Sequence, residues 1–283
     1  MRRRILASTG LVLGLLIWAL PVAGDEVLSK ESAQRMRPVI PAAINYYNER
    51  TDDPLPVLTT DQTEDLLEGK VVRIRRRPPR DVENPPERVT GYRIVPLPRD
   101  QVWVAALDPD FQATELLTEH LLGQDENGVS VWHQYLSLPW PITDRQWVIE
   151  VGIHAELAAE SGDLLWELTW DLEPAGEEIA RASIAAGNMG EITPEVARDA
   201  IYVPTNEGSW IMFKLEENIT LVGYRIIARV GGSIPDSWIA TVGMTQLAQV
   251  LNAVARHADT IPGTYDPSVH PVRGGNGRPI GRF

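Results

Sequence analysis

The chain has 283 residues, with 43% hydrophobic and 23% charged side chains, an ordinary globular balance that excludes wholesale disorder and a collagen-like repeat. Its net charge of −13 argues against a nucleic-acid surface, because phosphates need a basic footprint. It contains no cysteine, which excludes a disulfide scaffold, a thiolate metal site and a cysteine nucleophile.

Arg2, Arg3 and Arg4 precede an uncharged apolar run from Ile5 to Leu20, and small residues lead into Asp25-Glu26. This order predicts a secretory signal peptide over residues 1–24, cut after Gly24, and a periplasmic or secreted protein. An uncleaved anchor is the alternative, since the run reaches the lower limit for spanning a bilayer. Residues 25–57 read as an arm with one short helical stretch, around Ser29–Met36, followed by four prolines. Thr59-Thr60-Asp61 then caps a helix that Gly69 stops. Residues 71–77 and 89–95 alternate as two paired strands. Arg73, Arg75, Arg76, Arg77 and Arg80 make the first either a charge-guarded edge or a patch for anionic headgroups.

Pro98-Arg99-Asp100 opens a helical reading that continues through Phe111–Gly123. From Val129 the period becomes two, giving strands at 129–136, 146–154 and 164–172. Residues 174–200 break the rhythm with two short helical segments around Gly187 and Gly190. They are a candidate gate, because glycines allow hinge conformations. Strands resume at 201–203, 209–215 and 220–230, and a long helix follows from Asp236 to about His257. Residues 259–283 are Gly- and Pro-rich without periodicity and read as a flexible tail.

Hairpin-linked strands closed by one long helix predict an α+β fold, an antiparallel sheet with the helix on one face. Trp147, Ile149 and Val151 share one strand face, Trp166 and Trp170 another, and Val222, Tyr224 and Ile226 a third. Pattern alone leaves open whether these faces enclose a filled core or a cavity. Trp140, between two prolines, reads as a packed corner. His133 lies on the strand face opposite Gln134 and reads as a surface or interface residue. Asp144 and Arg145, adjacent in sequence, read as fixing the loop before their strand. The five histidines have no metal-ligand spacing, and no G-x-S-x-G, P-loop or H-E-x-x-H motif occurs.

Pro141-Ile142-Thr143-Asp144-Arg145-Gln146-Trp147-Val148 resembles the strand-entry signature of the START family, the steroidogenic-acute-regulatory-related lipid-transfer domains. Thr220–Trp238, TLVGYRIIARVGGSIPDSW, is similar to that family's final strand, turn and start of the last helix. The resemblance covers roughly residues 58–258. It implies the helix-grip fold, a curved antiparallel sheet wrapped around a long C-terminal helix with an internal hydrophobic cavity. It also implies non-catalytic binding and transfer of a lipid of the sterol, phospholipid or fatty-acyl class. No cofactor or metal is expected, and the partner is a hydrophobic small molecule bound by a monomer with transient membrane contact. The resemblance puts Trp132, Gln134, Trp147, Ile149, Val151, Trp166, Trp170 and Tyr224 on the cavity wall, with Gln134 as its polar handle. The chain departs from the family at Arg229-Val230, where many bacterial relatives carry Asp-Pro. It also has Gln134 and Val151 near the positions of the acid–arginine pair of some sterol-binding members. A helix-grip cyclase or aromatase, or an envelope interaction module, are the alternatives.

Overall fold

The structure, a computed structural model, describes residues 28–76, 86–111, 115–232 and 236–283, with the backbone alone for 236–243. The expected signal segment, Arg77 and Arg80 lie outside the described residues.

Alternating residues build one nine-stranded sheet. Its order is β1 (Val72–Arg76), β2 (Glu87–Val95), β9 (Ile219–Arg229), β8 (Thr205–Glu216), β6 (Leu165–Leu172), β5 (Arg145–Ile153), β4 (Ser130–Leu136) and β3 (Leu117–Gln124). These neighbours are all antiparallel; β7 (Ile201–Tyr202) pairs parallel with β5. The long helix α6 (Asp236–Ala258) crosses the inner face beside α3 (Arg99–Leu107). Leu247, Leu251 and Val254 of α6 join the same core as Trp103, Trp147, Trp170 and Met212. Gly91 of β2 makes the close approach possible. A Cβ there would lie 2.7 Å from Leu251 and 2.9 Å from Leu247, nearer than side chains pack.

The segment after α3 departs from the helical expectation. Helix α3 stops at Leu107, and residues 117–124 form β3. Apolar residues in LTEHLL fit helical and alternating periods alike over so few positions. Tertiary context decides between them. Strand β3 satisfies the free backbone edge of β4 and sends Leu117, Glu119 and Leu121 to the inner side.

The outer face is covered too. Helix α1 (Lys30–Asn48) is far longer than the expected stretch and runs through Pro38 and Pro41. Each interior proline costs about 3 kcal/mol. Met36, Ile40, Ile44 and Tyr47 are buried against Leu165, Ile211, Phe213 and Leu221, and each such side chain contributes about 1.5–3 kcal/mol. The sum favours the helix. Helix α2 (Thr60–Leu67) starts at the expected cap, with Thr59 and Gln62 exchanging side-chain and backbone hydrogen bonds at 3.2 and 2.9 Å. A short helix α4 (Ala155–Glu160) fills the connection between β5 and β6.

Residues 259–283 are not a loose tail. They contain α7 (Ile261–Thr264) and bury Val272 in the main core. Trp103 Nε1 donates to the Arg273 carbonyl at 2.8 Å. Gly275 lies against Trp166, where a Cβ would come within 2.4 Å of the ring. Low periodicity here reflects an irregular strap that gains its order from tryptophan contacts.

Candidate functional site

The inner face of the sheet is not filled by α6. Between them lies a cavity of about 160 Å³. Strand alternation aims Trp132 and Gln134 of β4, Trp147, Ile149 and Val151 of β5, and Trp170 of β6 at it. Asn206 and Trp210 of β8 and Tyr224 and Ile226 of β9 continue the wall. Val250 and Val254 of α6 close it above, and Leu107, Asp108 and Phe111 close it at the end of α3. A second chamber of about 120 Å³ adjoins it and shares Leu107, Trp132, Val151 and Leu168. Trp132 thus stands at the partition, its Nε1 donating to Ser130 Oγ at 2.9 Å. An engineered apolar cavity of about 150 Å³ holds benzene. A one-ring molecule therefore fits the first chamber as it stands, and a lipid-sized occupant requires the two to join.

Of the eight residues expected on the wall, seven line the first chamber. Trp166 does not. It shares the face of Trp170 but lies at the far end of β6, edge-on to Trp103 at 5.2 Å and beneath the Arg99 guanidinium at 3.4 Å. Its role is to pack α3 and the C-terminal strap.

The polar groups inside form a chain. Trp147 Nε1 donates to Gln134 Oε1, and Gln134 Nε2 donates to the carboxylate of Glu119. Gln134 is therefore not the free polar handle, since both ends of its amide are engaged. Glu119 takes that place. Its carboxyl touches the cavity yet is surrounded by protein, and this desolvation, opposed by the Gln134 hydrogen bond, pushes it up to about 7. The Tyr224 hydroxyl, raised by burial and by Glu119, has no hydrogen-bond partner among the described residues. Trp170 Nε1 donates to Asn206 Oδ1 at 3.0 Å, while Tyr224 lies 5.4 Å from the Trp170 ring and 4.4 Å from that of Trp210. Glu119 is not evident in the sequence because residues 117–122 fit a helical period as well as the alternation of β3. The alternation of Leu117, Glu119 and Leu121 was the available signal.

At the α3 end, His257 Nε2 meets Asp108 at 2.7 Å, and Phe111 stacks on the imidazole at 4.3 Å. Burial pushes Asp108 up, but the hydrogen bonds from His257 and from the Asp110 backbone outweigh it and hold the carboxyl below its usual range.

The outer-face residues resolve differently from expectation. His133 is 0% exposed, with Nε2 3.4 Å from Gln146 Oε1, and burial lowers its pKa. The cover is the 174–200 segment, α5 (Gly176–Ala185) with a 3-10 turn at Val196–Asp199, whose Ile184, Met189 and Ala197 cluster with Tyr135. Tyr135 alternates with Gln134, so this segment lies on the face away from the cavity and is not placed to gate it. Trp140 is no packed corner: it is 92% exposed. Asp144 accepts from the Tyr135 hydroxyl and the Leu138 backbone, both at 2.8 Å. Arg145, 1% exposed, donates to the carbonyls of Val230 and Gly231 at 2.7 and 2.9 Å. On β1, Arg75 pairs with Glu87, Arg73 donates to the Met244 carbonyl and Arg76 to that of Pro54. These arginines tie elements together.

No family model and no curated protein matches the chain. Among solved structures, human STARD10 superposes with a TM-score of 0.53 at 8% identity, over 71% of this chain and 76% of that one. The fold is the START-like helix-grip fold. A STAR-related lipid transfer protein from Xanthomonas axonopodis gives a TM-score of 0.49 at 18% identity, over 67% of this chain and 93% of that one. The Zhui aromatase/cyclase from Streptomyces sp. R1128 gives 0.40 at 15% identity, over 61% and 93%. The architecture accounts for the groove: α6 packs on β1, β2, β9 and α3, and the space between it and the inner face of β4, β5 and β6 suits a bound ligand.

Proposed function

We propose that the chain is a non-catalytic carrier that binds one hydrophobic molecule in the helix-grip cavity, in the periplasm or outside the cell. The observation that carries this reading is the aromatic lining of the unfilled space: Trp132, Trp147, Trp170, Trp210 and Tyr224 face it together. Rigid rings supply apolar area at small entropic cost. Burying roughly 300 Å² of ligand surface gains about 7 kcal/mol at 25 cal/mol per Å². Ordering takes back several of these, so micromolar affinity needs a polar contact as well. Glu119 and Tyr224 are positioned to make it.

Membrane contact in this reading falls to the loop between β4 and β5, where Trp140 stands free between Pro139 and Pro141. No helix among the described residues is long and apolar enough to cross a membrane. Titration with fluorescent sterol and phospholipid analogues tests the carrier reading. Saturable one-to-one binding by either supports it, and no saturable binding by any hydrophobic probe refutes it.

One observation favours a cyclase-type enzyme as the second reading. A carboxyl near pH 7 beside a free phenol is equipped to move a proton. Deuterium exchange at the acidic carbon of a 1,3-diketone probe, catalysed by the wild type and not by Glu119→Gln, would support that alternative.

A further inference from the structure

The charges on the wall of the first chamber have one sign. Asp108 and Glu119 are acids, and no lysine or arginine lines the first chamber among the described residues. The neighbouring segments 112–114 and 233–243 contain no basic residue in the sequence either, and α6 has none before Arg256. A phosphate or carboxylate headgroup drawn into the first chamber would meet a carboxylate and no counter-charge there, since the one arginine on either wall among the described residues, Arg273, lines the adjoining chamber. The aromatic rings point the same way, because ring faces are electron-rich and attract cations. Tyr224 sits between Trp170 and Trp210, and Trp147 and Trp132 flank the Glu119–Gln134 pair across the β3–β4–β5 register.

We propose that the preferred ligand is a hydrophobic amine, whose ammonium pairs with Glu119 inside the aromatic box while its apolar body occupies the cavity. This rests on the reading of the groove as a ligand site and names the class of ligand it takes. Glu119 lines the chamber, and its carboxylate accepts one hydrogen bond, from Gln134 to Oε1. An ammonium there would replace the water that burial removes. The free Tyr224 hydroxyl provides an acceptor for a second N–H. A neutral alcohol can donate to Glu119 and accept from Tyr224 but brings no positive charge to the carboxylate or the rings, and a fatty acid would be repelled.

Proton linkage follows. Burial keeps Glu119 largely protonated below about pH 7, so an ammonium must displace that proton. Amine affinity should therefore rise with pH through 7. The other titratable groups facing this space are Tyr224 on β9, raised by burial further above its ordinary alkaline value, and Asp108 after α3, held low by His257 of α6; His270 and Arg273 face the adjoining chamber. His133 on β4 and His120 on β3 alternate to the opposite face.

The test is intrinsic tryptophan fluorescence titration of the purified chain with octylamine, 1-octanol and octanoate, at about pH 6 and pH 8. Octylamine should bind about tenfold or more tighter than octanol at pH 8, with octanoate weakest. That advantage should shrink at pH 6, and Glu119→Gln should bring amine and alcohol to within about twofold. Equal binding of amine and alcohol by the wild type at pH 8, or an amine advantage that survives Glu119→Gln, overturns the proposal while leaving a hydrophobic site intact. Failure of all three probes overturns the carrier reading and this proposal together. If the variant does not fold, the wild-type pH dependence decides: no change in the amine-to-alcohol ratio between the two pH values overturns it.

Discussion

Gln134 and Glu119 face each other directly across the β3–β4 pair, and the amide of the first donates to the carboxylate of the second on the wall of an aromatic-lined space. A neutral residue thus holds an acid where no cation among the described residues does. The arrangement has a cost in stability that depends on pH. The folded pKa of about 7 lies above the ordinary glutamate value, so the folded chain keeps a proton that the unfolded chain releases. Stability contributed by this group is present below the ordinary value and is lost as pH rises through 7. Relative to wild type, Glu119→Gln should gain roughly 1–2 kcal/mol between about pH 5 and pH 8, allowing for contact with cavity water. Denaturant melts of both proteins at the two pH values check this, and parallel pH profiles would contradict it.

Trp132 is the largest of the four side chains that line both chambers, so its removal should change ligand size. Trp132→Ala should join the two chambers, so longer probes bind best. In a series of n-alkanols, the chain length of tightest binding should increase by several carbons relative to wild type. An unchanged optimum would mean that the chambers are not separated by this ring.

Arg145 should matter to folding rather than to ligand choice. Its buried guanidinium holds the β9–α6 turn by the carbonyls of Val230 and Gly231. Arg145→Met should cost about 3 kcal/mol, since the charged hydrogen bonds to both carbonyls are lost. Lysine should restore little, because a single ammonium does not reproduce the guanidinium fork. Chemical denaturation provides the numbers, and equal midpoints would exclude the role.

Much of this architecture was legible in the sequence, and the failures have physical causes. Strands β4, β5, β6 and β9 were readable because period-two alternation with tryptophan and branched residues has no helical counterpart of similar strength. The Asp144-Arg145 step was readable as structural because adjacent residues point to opposite sides. Glu119 was hidden because a strand that pairs along one edge borrows its conformation from its neighbour. Helix α1 was hidden by two prolines whose penalty is outweighed by burial of Met36, Ile40, Ile44 and Tyr47. The C-terminal strap was hidden because contacts of Trp103 and Trp166, remote in sequence, order it.

Trp140 offers a test of membrane contact. A free indole belongs at the boundary between headgroups and acyl chains. Trp140→Ser should reduce partitioning onto neutral phosphatidylcholine vesicles several-fold while leaving the thermal midpoint unchanged, since the ring packs on little. Vesicle sedimentation measures it, and equal partitioning would assign the contact elsewhere.

The central claim is that the space between sheet and helix holds one hydrophobic molecule. Native mass spectrometry of the chain, purified without detergent and then titrated with a single-chain or sterol probe, tests it most directly. The account predicts one saturable adduct per chain, absent in Trp170→Glu, where an added acid occupies the wall. A bare chain at every probe concentration, or several adducts without saturation in wild type and variant alike, would contradict it.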